Sequence, residues 1–144
     1  AAYSMRGDVD PKLIEEWLQY ARSDGENAVS ILKHRDGNPA GVCFLAQQMV
    51  EKLLKALLVA ATGEYVRTHS TEHLLDLLSP HYMHIRRAIE EAALHVQPYY
   101  VGTRYPADVP MESYTWRDAE MAIEAAQQVE SFVAGQLERP FPAT

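Results

Sequence analysis

Apolar residues recur along the chain with the 3.6-residue period of helices, and proline and glycine divide the recurrences into separate segments. Asp10-Pro11 opens the first: Asp suits a helix cap, and Pro suits the first helical position, where its missing N–H costs nothing. Leu13, Ile14, Trp17, Leu18, Ala21, Ala28, Ile31 and Leu32 form its stripe, with an interruption expected near Gly25. Gly37-Asn38-Pro39 ends this helix and starts the next by the same device. The second helix carries a broad apolar face of Val42, Leu45, Met49, Val50, Leu53, Leu54, Leu57 and Leu58, stopped at Gly63. Ser70 or a neighbour caps a short helix with Leu74, Leu75, Leu77 and Leu78, ended near Pro80. A fourth runs from about Tyr82 to Val96, closed by Pro98.

Residues 98–114 break the pattern. Pro98, Gly102, Pro106 and Pro110 forbid a continuous helix, and Tyr99, Tyr100, Tyr105 and Tyr114 crowd the same stretch. Loops of this length without secondary structure are often functional. Thr115 and Asp118 then resemble a capping box, with Asp in place of the usual Glu. The last helix buries Ala122, Ala125, Ala126, Val129, Phe132 and Val133 and runs to about Leu137, before Pro140 and Pro142. Strand-like alternation and repeats are absent. The pattern therefore predicts an all-α, up-and-down bundle of four long helices and one short one, with a Tyr/Pro-rich loop before the last. One domain over 9–138 is expected, with flexible ends at 1–8 and 139–144.

Composition narrows the function classes. A chain of 144 residues with 47% hydrophobic content can bury about 68–70% of its unfolded surface and needs no metal or disulfide staple. Its single cysteine, Cys43, excludes an intramolecular disulfide and fits a cytoplasmic setting. The N-terminus has no signal-like apolar core, and no apolar run is long enough to span a membrane. The net charge of −7 argues against broad nucleic-acid binding by phosphate neutralisation, and sequence-specific DNA binding is not expected. A small local basic site remains compatible with it. Arg86, Arg87 and Arg104 would supply one if the loop folded over the fourth helix.

The phosphate-cradling loops GxxxxGK[ST] and GxGxxG and the metal motif HExxH are all missing. No cofactor is expected. Cys43, beside Phe44 and Leu45 in a helical pattern, reads as a small core residue rather than a nucleophile. His69 and His73 have helical metal-ligand spacing, and His81 and His84 lie three apart, yet no third ligand stands in register, so no metal site is expected. Arg67, His69 and His73 flank the short helix, and Arg104 lies in the Tyr-rich loop. A convergent Arg and His could cleave RNA, with His as general acid or base and Arg stabilising charge on the phosphate. Spacing alone favours a plainer reading, in which His69 helps cap the helix and Arg104 pairs with a carboxylate. The tyrosines could seal the bundle under the loop, fill a partner interface, or stack bases.

The run Phe44-Leu45-Ala46-Gln47-Gln48-Met49-Val50-Glu51-Lys52-Leu53-Leu54-Lys55-Ala56-Leu57-Leu58 is one of three elements that stand out together. The others are Thr68-His69 before the Leu-rich short helix and Thr103-Arg104-Tyr105-Pro106 after the fourth helix. In order and spacing, from Trp17 to Phe132, the three resemble the HEPN domain family. The resemblance implies an all-α bundle, usually a homodimer. It also implies pairing with an MNT-type nucleotidyltransferase in toxin–antitoxin-like or defence modules. Many members are metal-independent endoribonucleases with an Arg-(four to six residues)-His motif on a long helix. Here Arg67 and His73 are separated by five residues, but Arg67 precedes the short helix. On the fourth helix Arg86 and Arg87 are separated from His95 by eight and seven residues, so neither fits. The resemblance therefore carries over His69 and Arg104. It makes Arg104, Tyr105, His69 and Lys52 the candidate ligand-binding residues, with Arg67 and His73 as weaker catalytic candidates. Two functions follow: a nucleotide- or RNA-related binding module acting with a nucleotidyltransferase, or a metal-independent endoribonuclease.

Overall fold

The computed structural model describes residues 9–105 and 109–138. The expectations about the ends, including Pro140 and Pro142, and about Pro106 lie outside the described residues. The helices are α1 (Pro11–His34), α2 (Pro39–Thr62), α3 (Thr71–Leu78), α4 (Ile85–Val96), the single turn α5 (Tyr99–Gly102) and α6 (Trp116–Glu138). A 3₁₀ turn spans Met111–Ser113. The described residues contain no strand. The four long helices and the short α3 match the sequence pattern. The Tyr-rich stretch adds the turn α5, which is too short for sequence periodicity to reveal.

Local chemistry places the helix starts. Asp10 Oδ1 accepts from the Lys12 amide at 2.9 Å, and Asn38 Oδ1 accepts from the Gly41 amide at 2.9 Å. Ser70 Oγ accepts from the His73 amide at 3.1 Å. Thr115 and Asp118 form a reciprocal capping box, each side chain accepting the other's amide at 3.0 and 2.9 Å. Gly63, at φ 86°, ends α2 in the left-handed region.

Two boundaries differ from expectation. Helix α1 runs unbroken through Gly25, where an added Cβ would meet Met49 Sδ at 2.8 Å. The glycine marks close approach of α2, not a break. Helix α4 begins at Ile85 rather than Tyr82. Residues 79–84 form turns, with the Tyr82 amide bonded back to the Leu78 carbonyl at 3.0 Å.

Helix α2 is the centre of the bundle. It packs against α1, α3, α4, α5 and α6, and most of its residues are buried. Such all-round burial is the mark of a core helix. It runs antiparallel to α1: Gly25 faces Met49, Asp24 pairs with Lys52, and Trp17 faces Lys55. The main core joins Leu53, Leu54 and Leu57 of α2 with Leu74, Leu75, Leu78, Ile85, Ile89 and Val129. Val9, Ile14, Ala56, Val59 and Ala60 form a smaller cluster at the α1 end. Among the described residues no helix is long and apolar enough to cross a membrane.

Candidate functional site

A buried polar line crosses the mainly apolar α2. Gln47, Glu51 and Lys55, spaced by four, share one helix face and are all buried. Glu51 is their hub. Its Oε2 accepts from Lys55 Nζ at 2.9 Å, and its Oε1 accepts from Gln47 Nε2 at 3.3 Å. Gln48 Nε2 donates in turn to Gln47 Oε1 at 2.7 Å. The Lys55 ammonium also lies 5.4 Å from the centroid of the Trp17 ring, which meets Tyr65 edge to face at 4.9 Å. A buried carboxylate must be compensated, and here it is neutralised by a lysine and hydrogen-bonded on both oxygens.

The third group on Glu51 comes from outside the helix: His69 Nδ1 lies 3.1 Å from Glu51 Oε1. The segment before α3 is braced to hold it there. The Ser70 amide donates to Thr68 Oγ1 at 3.1 Å, and Gln97 Nε2 donates to the His69 carbonyl at 3.4 Å. Gln97 Oε1 also receives the Thr71 amide and hydroxyl, tying the end of α4 to the start of α3. The His69 side chain keeps 55% of its surface open. Its ring stacks on Tyr100 of α5, centroids 4.1 Å apart and planes 16° from parallel.

Arg104 completes the cluster. Its guanidinium carbon lies 4.9 Å from the Tyr100 ring, 5.6 Å from Phe44 and 5.4 Å from Tyr105. Among the described residues no carboxylate lies within ion-pair distance of it, and its contacts there are the three rings. Imidazole and guanidinium both contact the ring of Tyr100, at 4.1 and 4.9 Å. Glu51 and Lys55 offset each other in the interior, while Arg104 carries its charge over the rings.

The other sequence candidates fall elsewhere. Lys52 turns to α1, where it meets Asp24 at 2.5 Å and lies 5.9 Å from the Tyr20 ring. Arg67 is exposed on the connection before α3, and His73 is exposed within it. The cap of α3 belongs to Ser70, not His69. Arg86 cannot serve a positive groove, since Glu72, Asp76 and Glu90 surround it. Those carboxylates drive its basicity further up. Tyr99 and Tyr114 turn inward and pack edge to face at 5.9 Å, sealing the bundle. Cys43 is fully buried beside them, and burial, reinforced by Asp118 and opposed by Tyr99, pushes its thiol up to about 12. That thiol is a core group. Among the described residues no three His, Cys, Asp or Glu side chains cluster as metal ligands.

Sequence reasoning missed Glu51, Tyr100 and Phe44 as members of the site. The signal available was three polar residues, four apart, on one face of a mainly apolar helix. A groove of about 510 Å³ between α1 and α6, floored by Ala28, Ala46, Met49 and Ala126, lies apart from this cluster. None of the sequence candidates lines it. The cluster itself is a partly exposed set of rings with a cation over them, Tyr105 exposed and Phe44 and Tyr100 half-buried, chemistry suited to stacking a planar group and holding an anion beside it.

A family model described as HEPN domain matches residues 14–136. The fold is similar to the crystal structure of TT1696 from Thermus thermophilus, with 34% identity and a TM-score of 0.71, covering 85% of this chain and 96% of that one. It is also similar to ST0689, an archaeal HEPN homologue, with 32% identity and a TM-score of 0.68, again covering 85% of this chain and 96% of that one. No curated protein matches the chain.

Proposed function

Because this chain belongs to the HEPN domain family, we propose that it is a nucleotide- or RNA-related binding module. In this reading it acts as a homodimer with an MNT-type nucleotidyltransferase partner, in a toxin–antitoxin-like module. The observation that carries the binding role is the exposed Arg104 guanidinium, set over Phe44, Tyr100 and Tyr105. A base stacks on such a surface through its π-face, and the guanidinium edge offers forked N–H donors to a phosphate. The platform is small and local, which reconciles it with a net charge of −7.

A second reading is a metal-independent endoribonuclease. It is favoured by one observation: His69 and Arg104, the acid–base and charge-stabilising candidates, contact the same tyrosine ring. Both readings use one site, and one experiment separates them. The folded protein is titrated with a fluorescent adenine nucleotide and with a short single-stranded RNA in EDTA, and the RNA is then examined for cleavage. Binding without cleavage, weakened about 10-fold by Arg104→Ala, is the expected result, since one stacked base contributes about 1–3 kcal/mol. The melting temperature of Arg104→Ala should stay within about 2 °C of the parent, because the side chain is exposed. Cleavage lost in His69→Ala would establish the nuclease instead. No binding at millimolar ligand, or equal binding by Arg104→Ala, would refute the platform. Light scattering checks the dimer: a 16.2 kDa species at micromolar concentration would contradict it.

A further inference from the structure

Helices α1 and α6 both pack closely on α2 but meet each other only sparsely, and the seam between them stays open. One end of the seam holds the groove of about 510 Å³ floored by Ala28, Ala46, Met49 and Ala126. A second hollow, of about 430 Å³, lies over Leu18, Leu53 and Val133 toward the end of α6. Arg22 and Glu130 border both, so the two hollows adjoin as one channel. Its α1 wall runs from His34 back to Leu18 while its α6 wall runs from Ile123 on to Glu138. The walls are therefore antiparallel, and at about 1.5 Å per residue the channel is about 22 Å long, close to four helical turns. Gly25 and the alanines of the floor give it depth, and Val29 stands on its wall with 43% of its surface open. The rim is unequal in charge. Glu26, Glu130 and Glu138 border the channel, and among the described residues none has a cation within ion-pair distance. Of the cations there, Arg22 is engaged by Glu15 at 3.2 Å, and Lys33 stands at the far end beside His34. From Asp118 to Glu138, α6 carries acidic residues and no basic one.

We propose that this channel is the docking groove for a basic amphipathic helix of a partner protein, laid lengthwise between α1 and α6. Three features select that occupant. The channel is long and narrow with an apolar floor, so a helix can set residues three and four apart into it along its whole length. A compact apolar molecule would fill one hollow and leave the other open. An extended peptide would bring unpaired backbone amides over that floor, where among the described residues no strand edge is available to bond them, whereas a helix satisfies its own. The unpaired carboxylates decide the sign of the flanks: lysine or arginine beside the apolar stripe meets Glu26 on one wall and Glu130 and Glu138 on the other. The net charge of −7 favours the encounter with a basic partner at longer range. No residue of the channel belongs to the His69–Arg104 cluster, so this surface stands or falls separately from the nucleotide-binding role.

The test uses the intact chain and two designed helical peptides of about 18 residues, enough to span the channel. Both carry leucines three and four apart on one face. In one the flanking residues are lysines, in the other glutamates. Fluorescence anisotropy at low salt should show the lysine-flanked peptide binding at least about tenfold more tightly, and amide shifts on ¹⁵N-labelled protein should move at Gly25, Val29, Gln127 and Ala134. Glu26→Lys/Glu130→Lys should erase the preference, and Glu26→Lys alone, on a fully exposed residue, should reduce it where the double variant proves unstable. No binding of the lysine-flanked peptide at millimolar concentration would overturn the proposal. So would equal binding of the two peptides, which marks a merely apolar surface, or shifts confined to residues outside the channel. Light scattering on Val29→Arg covers the remaining occupant. A parent of dimeric mass that falls to the single-chain mass in this variant would place a second copy of the chain in the channel and overturn the proposal, while an unchanged mass leaves the groove open to the helix.

Discussion

Replacing Lys55 by methionine isolates the energetic weight of the buried polar line. Lys55 and Glu51 keep only 6% and 5% of their side-chain surface, and their contact is 2.9 Å. Lys55→Met is close in shape, so it leaves little cavity and strands the Glu51 carboxylate. Removing one partner of a buried pair costs about 3–5 kcal/mol, because an uncompensated charge remains. Glu51 keeps its bonds from Gln47 and His69, which sets the loss at the lower end, about 3 kcal/mol. At about 2–4 °C per kcal/mol for a domain of this size, the melting temperature falls by about 6–12 °C. The second variant, Glu51→Gln/Lys55→Met, removes both charges, keeps a hydrogen-bonding side chain beside His69, and should recover to within about 1 kcal/mol of the parent. Urea denaturation at about pH 7.5, followed by helix circular dichroism, measures all three proteins. A loss below about 1 kcal/mol for Lys55→Met, or a double variant less stable than the single, would refute the view that a buried charge pair holds this face of α2.

Three further outcomes are expected. Gly25→Ala should lie within about 1 kcal/mol of the parent, since the helix gains about 1 kcal/mol of propensity while the flexible end of Met49 moves aside. A urea-midpoint loss equivalent to more than about 2 kcal/mol would mean that Met49 is locked. Stability should fall as pH rises above about 9, where an unfolded thiol ionises, because Cys43 holds its proton to about 12 when folded. The unfolded chain then binds fewer protons, so the slope is negative, at about 1.4 kcal/mol per pH unit from this group. Tyr99, also raised to about 12 by burial, adds in the same direction above about 10. Urea midpoints at pH 8, 9 and 10 should fall less steeply in Cys43→Ala, and parallel curves would refute this. Thr115→Ala should cost about 1 kcal/mol by removing a reciprocal cap, and an unchanged melting temperature would show that α6 starts without it.

The features legible in the sequence were those decided within a few residues. Caps at Asp10, Asn38 and Ser70 and the Thr115–Asp118 box depend on side chains bonding amides two or three positions away, and each forms. The periodic apolar stripes placed the helices for the same reason. Gly25 misled because its role is set by Met49, from another helix. The site shows the same division. His69 and Arg104 stood out as residue types in a familiar order, but their partners are distant in sequence. His69 finds Glu51 eighteen positions back, and Arg104 finds Phe44 across the bundle. Lys52 and Lys55 look interchangeable on the page. Three residues, a little less than one helical turn, send the first to Asp24 and the second to Glu51.

The central place of α2 has a bearing on synthesis. Its α1-facing side is covered as soon as the first hairpin leaves the ribosome. The side that packs on α6 must wait for residues 116–138. At about 5–20 residues per second, that interval lasts on the order of 4–15 s, during which an apolar helix stands partly uncovered on the nascent chain. Exposed apolar surface of this kind is what makes a folding intermediate prone to aggregate, so this stretch of synthesis is where the chain has most need of chaperone cover.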